Sequence, residues 1–327
     1  MTILRRFFAP TLASLLLAGS AFAHPTAPPP EEAVPAVDIP IADTAVYPES
    51  ISADSSGTLY LGSIKGVIFR ALPGVGEAQP WIRPDAANGL LSILGVLVDE
   101  KSNTLWVCSS PAPFRSPPAI GVSALVAFDL SSGKFKASHP LPSPAAACND
   151  IAVDDAGTVY ATDTPNGRIL TLAPGGNALA PFAQDAKLRG VDGIAFAGDG
   201  LLYVNNVITQ KMLRVNRGAD GAFAGLTELT LSQPVKGPDG LRPIAGNRFL
   251  QAEGGAGRIT EVTISGDAAE ITELRGGLTS SPGVTLSGQI VYALEGKIGY
   301  LVDPKLKGQD PGPFVIRAIP YMQGSGE

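Results

Sequence analysis

Four side chains in this sequence stand out because they could hold a metal ion together: Glu49, Asn149, Asp192 and Asp239. Each lies two residues before the first apolar residue of a short strand-like run. Those runs recur roughly every 45 residues along the chain. The other two copies carry Leu94 and Pro282 at the same place. Three carboxylates and an amide brought to one point repel one another unless a cation sits among them. Ligands that are all oxygen select a hard cation, Ca²⁺ first, with Mg²⁺ or Mn²⁺ as alternatives. Nitrogen and sulfur chemistry has little to work with: the chain has two histidines, His24 and His139, and two cysteines, Cys108 and Cys148. That argues against a zinc site of the usual type or a Ser-His-Asp triad. Read one at a time, Asp192-Gly193 and Asp239-Gly240 are also ordinary turn pairs. Their recurrence at one position of a repeat is what favours a site.

That repeat must position them. Its clearest copy is Cys148 to Asp163, CNDIAVDDAGTVYATD: an entry, a short apolar strand, a DDAG turn and a second strand. Related copies begin at Ser50, Gly95, Gly193, Gly240 and Gly283. They place Tyr60, Trp106, Tyr160, Tyr203, Leu250 and Tyr292 at one equivalent position of the second strand. Third strands follow, such as GVIFRAL, SALVAFDL, GRILTLA, KMLRVNR, GRITEVTI and KIGYLVD. Variable fourth segments come next, such as FKASHPL, LTELTLS, AEITELR and FVIRAIP. Six units of four antiparallel strands predict an all-β, six-bladed propeller over residues 37–327, whose termini meet at the last blade. The first strand of each blade lines the central channel, so equivalent entry positions form a ring at one mouth. VDIPIA and FVIRAIPY are both candidates for the outer strand of the closing blade.

Other polar residues follow from the same alignment. Asp163, Asn205, Asn206 and Glu253 end second strands on the ring face. Asn205 and Asn206, with Asn149, are candidates to line a substrate pocket; the alternative for strand ends is a turn role. The DxxG turns, such as Asp54 to Gly57, lie on the opposite face and are structural. His139 falls in a fourth strand and is expected on the surface. Cys108 ends a second strand and Cys148 precedes the next inner strand, on the same face of adjacent blades, which predicts a disulfide beside Asn149.

Composition sets the class. With 327 residues, 45% hydrophobic and 17% charged, the chain builds a substantial core. Its 38 glycines and 29 prolines, spread evenly, suit many tight turns. Residues 1–23 have the form of a secretory leader: Arg5 and Arg6, an apolar run from Phe7 to Leu17, and Ala21-Phe22-Ala23. Cleavage there moves the formal charge from −6 to −8 and leaves a periplasmic or secreted protein. Residues 24–36 read as a disordered Pro/Ala/Glu linker. An acidic chain with 6% aromatics does not suit nucleic acid, and no apolar run is long enough to span a membrane. A monomer is expected.

The residues resemble the gluconolactonase/regucalcin-like family of six-bladed propellers, with more distant kinship to paraoxonase-type lactonases and strictosidine synthase-like proteins. PES at 48–50, CNDIAVDDAGTVYATD and GPDGLRP at 237–243 carry the resemblance. It implies one divalent cation bound through a Glu, an Asn and an Asp, and lactone hydrolysis in many members. Carried over, Glu49 and Asp239 are metal ligands and Asp239 is also the base. Asn149 then lies near the metal and contacts substrate or water. The family's blade-4 ligand is usually Asn; here it is Asp192, a further charge that tightens cation binding and weakens Lewis acidity, and a second candidate base. The expected activity is a metal-dependent lactonase or esterase acting on a small-molecule lactone or ester. The rival is a non-catalytic ligand- or partner-binding propeller with a structural metal. A quinone-dependent sugar dehydrogenase fits less well, since the basic residues and histidine of such sites are missing.

Overall fold

The computed structural model describes residues 36–44, 46–112 and 117–322. The leader expected over residues 1–23 and the linker, apart from Ala36, lie outside them. Among the described residues, no helix is long and apolar enough to cross a membrane.

Among the described residues, six sheets follow one another along the chain, and those of blades 1 to 4 are simple antiparallel meanders. The inner strands are Pro48–Ala53, Ser92–Asp99, Cys148–Val153, Val191–Phe196, Pro238–Pro243 and Val284–Ser287, for blades 1 to 6. The second strands are Leu59–Ser63, Thr104–Ser110, Val159–Asp163, Leu202–Asn206, Arg248–Glu253 and Ile290–Leu294. Blade 5 gains a fifth strand, Thr230–Leu231, parallel to its outer strand Ala268–Arg275. Blade 6 closes the ring: its third strand is Val315–Pro320, and the N-terminal Ile39–Pro40 pairs with it as the outer strand. The termini therefore meet in the last blade. Arg317 fastens the closure by pairing with Asp38 at 2.8 Å and Glu295 at 2.6 Å.

Two readings of blade 6 are corrected here. KIGYLVD is not the third strand. It contains a single helical turn, Gly299–Val302, inside a long connection. FVIRAIP supplies the third strand rather than the fourth. The connection between them contains Pro304, Pro311 and Pro313, which cannot donate to a ladder. Lys297 Nζ ties it back through the carbonyls of Pro311 and Pro313, at 2.7 and 2.8 Å.

The apolar core is divided into six clusters, one at each junction between neighbouring blades. The repeated aromatic position explains how the blades register. Tyr60 packs into the blade 1–2 cluster and Tyr160 into the blade 3–4 cluster, while Tyr203 meets Phe249 of blade 5 at 5.5 Å. Each copy points at the following blade. Where the phenol reaches the rim, the DxxG turn receives it: Tyr60 and Tyr160 donate to Asp54 and Asp154 at 3.1 and 3.2 Å. Trp106 does the same to Asp99 at 3.4 Å. Those turns are scaffold.

His139 is not on the surface. It is 7% exposed, its ring tilted beside Trp106 with centroids 6.5 Å apart, and Nδ1 lies 3.2 Å from the Asn177 carbonyl. The next blade's third-to-fourth-strand loop covers it, which its place in an outer strand did not show.

Candidate functional site: a carboxylate ring at the channel mouth

The ring positions are created by a defect in the sheet. In blades 1 to 5 the inner strand slips register against its partner at the ring residue: at Glu49, Leu94, Asn149, Asp192 and Asp239. A bulge takes a residue out of the ladder and re-aims its side chain, and here it does so at one height in successive blades. The approach is bent as well. Two residues before the ring position, Tyr47, Gly190, Gly237 and Ser280 have φ of 46°, 91°, 54° and 54°. Glycine takes that conformation freely; Tyr47 and Ser280 hold it at a cost of about 1 kcal/mol each.

The glycine after the ring residue has a different reason. A Cβ on Gly95, Gly193, Gly240 or Gly283 would lie 2.2, 2.3, 2.8 or 2.9 Å from the ring carbonyl of the next blade, at Asn149, Asp239, Pro282 and Glu49 respectively. Asp192-Gly193 and Asp239-Gly240 are thus not turns. They are places where one blade's ring backbone rests on its neighbour's. Blades 1 and 3 depart from glycine, with Ser50 and Asp150, and both side chains do specific work. Ser50 Oγ accepts from the Val96 N–H at 3.0 Å, and Asp150 Oδ2 from the Ile194 N–H at 3.1 Å.

The bulges leave backbone groups to satisfy, and second-strand side chains satisfy them. Thr162 accepts from the Asp150 N–H at 2.9 Å and donates to the Asp192 carbonyl at 2.9 Å. Asn205 accepts from the Gly193 N–H at 2.8 Å and donates to the Asp239 carbonyl at 2.6 Å. Asn205 therefore holds Asp239 by its backbone and does not line a pocket. Asn206 is likewise spent: it donates to the carbonyls of Lys187 and Arg189 and accepts from the N–H groups of Ile208 and Thr209. Both are fully buried, so the expectation that they contact substrate is corrected. Asp163 and Glu253 are also fully buried, paired with Arg168 at 2.7 Å and Arg258 at 3.0 Å. A polar strand end that anchors its own loop recurs around the ring.

Glu49, Asn149, Asp192 and Asp239 do come together. Asn149 Nδ2 donates to Asp192 Oδ2 and to Thr164 Oγ1, each at 3.0 Å. Asp192 and Asp239 lie close enough for each to act on the other's protonation. Glu49 and Asp239 keep partial exposure at the mouth, while Asn149 and Asp192 are buried. Desolvation raises all three acids, and mutual repulsion adds to it. Asp192 is pushed up to about 7 by burial and the charge of Asp150, against hydrogen bonds from Asp239 and Asn149. Asp239 rises well above the carboxylate range through burial, then through Asp192, Glu49 and Asp150. Glu49 rises through burial and through Asp192 and Asp150, with Arg242 opposing. Among the described residues, no three His, Cys, Asp or Glu side chains are already closed around one point as a ligand cage. The donor set nonetheless fits a hard divalent cation: it is all oxygen, and the unrelieved repulsion among its acids is what such an ion removes.

Beneath the ring, Arg242 and Asp150 form a buried ion pair at 2.8 Å that the sequence reading did not single out. The signal lay in aligned columns. Three residues past the ring position stand Ser52, Leu97, Ala152, Ala195, Arg242 and Thr285, one long cation among smaller side chains. Arg242 also borders a cavity of about 320 Å³ at the other mouth, walled by Leu97, Ala152, Ala195, Phe196 and Leu241. Cys108 and Cys148 are bonded, with Cα atoms 5.0 Å apart and no exposure, joining blade 2 to the entry of Asn149.

The N-terminal model of the strictosidine synthase-like family matches residues 38–71, which is the closing strand and the first three strands of blade 1. No curated protein matches the sequence. Solved structures match nearly the whole propeller. A gluconolactonase from Xanthomonas campestris aligns with a TM-score of 0.61 at 16% identity, covering 89% of this chain and 99% of its own. A virginiamycin B lyase from Staphylococcus aureus gives 0.58 at 13%, covering 86% and 98%. A PQQ-bound aldose sugar dehydrogenase from Streptomyces coelicolor gives 0.57 at 14%, covering 90% and 99%. Enzymes of different chemistry thus share this fold, and the chain carries the six-bladed propeller that its resemblance to the gluconolactonase/regucalcin-like family implies.

Proposed function

We propose that the protein is a divalent-metal-dependent hydrolase of the lactonase or esterase type, working at the ring mouth on a small-molecule lactone or ester. The observation that carries this is the convergence of three carboxylates and an amide on one bulge position, with Asp192 raised to about 7. Glu49, Asn149, Asp192 and Asp239 would hold the cation, Ca²⁺ first. Bound there, it supplies Lewis-acid polarisation of a carbonyl and charge against an oxyanion.

The chain's own residues supply the rest. Asp239 reaches solvent at the mouth and takes the proton of an attacking water as general base. Asp192, buried beside it, is the alternative base. Asn149 fixes the Asp192 carboxylate from one side, and Asn205 fixes the Asp239 backbone from below. Arg242 and Asp150 fill the channel axis beneath the ring, so substrate enters and leaves by the ring mouth. The buried disulfide and the leader-like N-terminus support an extracytoplasmic location.

The test is hydrolysis of a lactone and ester panel by the mature protein. Activity should fall with chelator, return with Ca²⁺, and be lost in Asp239→Ala. Hydrolysis indifferent to both changes overturns the reading. A large chelator-induced drop in melting temperature with no hydrolysis would instead favour a binding propeller braced by the metal.

A further inference from the structure

Arg242 is 6% exposed, and its guanidinium is held by three other blades as well as its own. Nη1 donates to Asp150 Oδ2 in blade 3 and to the Leu241 carbonyl in blade 5, each at 2.8 Å. Nη2 donates to Ser50 Oγ in blade 1 and the Val96 carbonyl in blade 2, each at 3.3 Å. The remaining blades place Ala195 and Thr285 at its level, small enough to leave the axis free. Asp150 is 3% exposed, with Oδ1 unpartnered, and Arg242 Nε is unpartnered too.

Stability does not explain this pair. A buried ion pair seldom repays the desolvation of both partners, and a well-packed apolar pair of the same volume does as well or better. Both atoms left without partners make the balance worse. Place in the fold is more informative: the pair lies directly below three carboxylates, in a region of low dielectric where fixed charges act strongly. Both partners border the ring: Asp150 follows Asn149 and its Oδ2 accepts the Ile194 N–H two residues past Asp192, while Arg242 stands three residues past Asp239 and donates to Ser50, the residue after Glu49.

We propose that Arg242 and Asp150 are a fixed-charge floor that sets how tightly the ring holds its divalent cation. Arg242 is the positioning residue that weakens the hold, and Asp150 is its counterweight. This rests on the reading that the ring binds a cation. The consequence is a reversal of sign between two partners of one ion pair. Removing Arg242 leaves an extra negative charge under the ring and tightens cation binding. Removing the charge of Asp150 leaves an extra positive charge and loosens it. A merely structural pair would lose affinity from either side.

The experiment is calorimetric titration of Ca²⁺ into chelator-stripped mature protein, wild type against Arg242→Met, Asp150→Asn and the double variant, with melting temperatures alongside. Arg242→Met should bind Ca²⁺ about tenfold tighter and Asp150→Asn about tenfold weaker, with the double variant within about threefold of wild type. Both single variants should melt lower. Single variants that shift affinity in the same direction, or leave it unchanged, overturn the proposal. If Arg242→Met does not fold, weakened binding in Asp150→Asn and recovery in the double variant carry the test, and their absence overturns it. A wild type that takes up no Ca²⁺ sinks the hydrolase reading and this one together. A wild type that binds, with shifts in one direction, sinks this one alone.

Discussion

At one face of the propeller, Asp54 is surrounded by its own donors; at the other, Asp239 is surrounded by carboxylates. Burial pushes Asp54 up, but the Ser56 hydroxyl and N–H, the Thr58 N–H and the Tyr60 hydroxyl outweigh it and hold the group below its usual value. Asp239 receives a ring of charge, and both burial and its neighbours push it up. The residue type is the same, and each lies at one end of an inner strand, Asp54 in blade 1 and Asp239 in blade 5. What separates them is whether the hairpin supplies donors. A carboxylate satisfied by its own turn is scaffold, and one left facing other carboxylates needs something from outside the chain.

The sharpest way to break this contrast is to remove one acid from each face. Asp239→Ala should cost at least about a hundredfold in hydrolysis, the scale of losing a general base. Asp154→Ala, at the turn face, should leave the rate within about twofold while costing about 1 kcal/mol of stability from lost hydrogen bonds. Equal kinetic losses would erase the distinction between the faces.

Proton linkage separates the two faces next. Asp192 sits near 7 in the folded protein against 3.8 when unperturbed. In cation-free protein the folded state therefore keeps a proton that the unfolded chain gives up. This group's contribution to stability is fully present below about pH 4, falls as pH rises from about 4 to about 7, and is gone above. Melting temperatures in chelator across that window should fall accordingly, and Ca²⁺ should stabilise more at pH 7.5 than at pH 5. A cation-free melting temperature that climbs through the window contradicts the picture of the ring.

Backbone contacts come third. In Gly193→Ala the new methyl meets the Asp239 carbonyl at 2.3 Å, so overpacking of about 1–3 kcal/mol should appear together with weaker Ca²⁺ binding. Gly76→Ala, with nothing within 4 Å of the added carbon, should change neither. Asn205→Ala should change substrate handling least, although it leaves the Gly193 N–H and Asp239 carbonyl unpaired at a cost of about 1–3 kcal/mol. Its melting temperature should drop and its KM should stay put, because Asn205 touches no substrate. A raised KM at unchanged stability would restore the pocket role that its strand-end position suggested.

Repetition made the blades legible: six copies of one strand pair fix the fold class, and the aligned entry positions picked out Glu49, Asn149, Asp192 and Asp239. The same columns held more than was taken from them. Ser50 and Asp150 stand where other blades have glycine, and Arg242 stands where others have smaller side chains. Seeing that requires knowing that the glycines meet a neighbour's carbonyl, a contact between blades that no single repeat displays. Asn205 and Asn206 failed for a related reason. A polar strand end looks alike whether it opens to a pocket or mends a bulge, and the bulges are visible only in the ladder register. Blade 6 escaped because KIGYLVD has the pattern of a strand, while Lys297 and the prolines that follow the stretch serve a loop.

The central claim is that the ring mouth binds one divalent cation at the expense of its protons. Titrating Ca²⁺ into chelator-stripped protein at pH 7, in buffers of different ionisation enthalpy, tests it most directly. The account predicts one site per chain, proton release on binding, and loss of that site in Asp192→Ala and Asp239→Ala. Absence of binding, or binding that survives both substitutions, contradicts it.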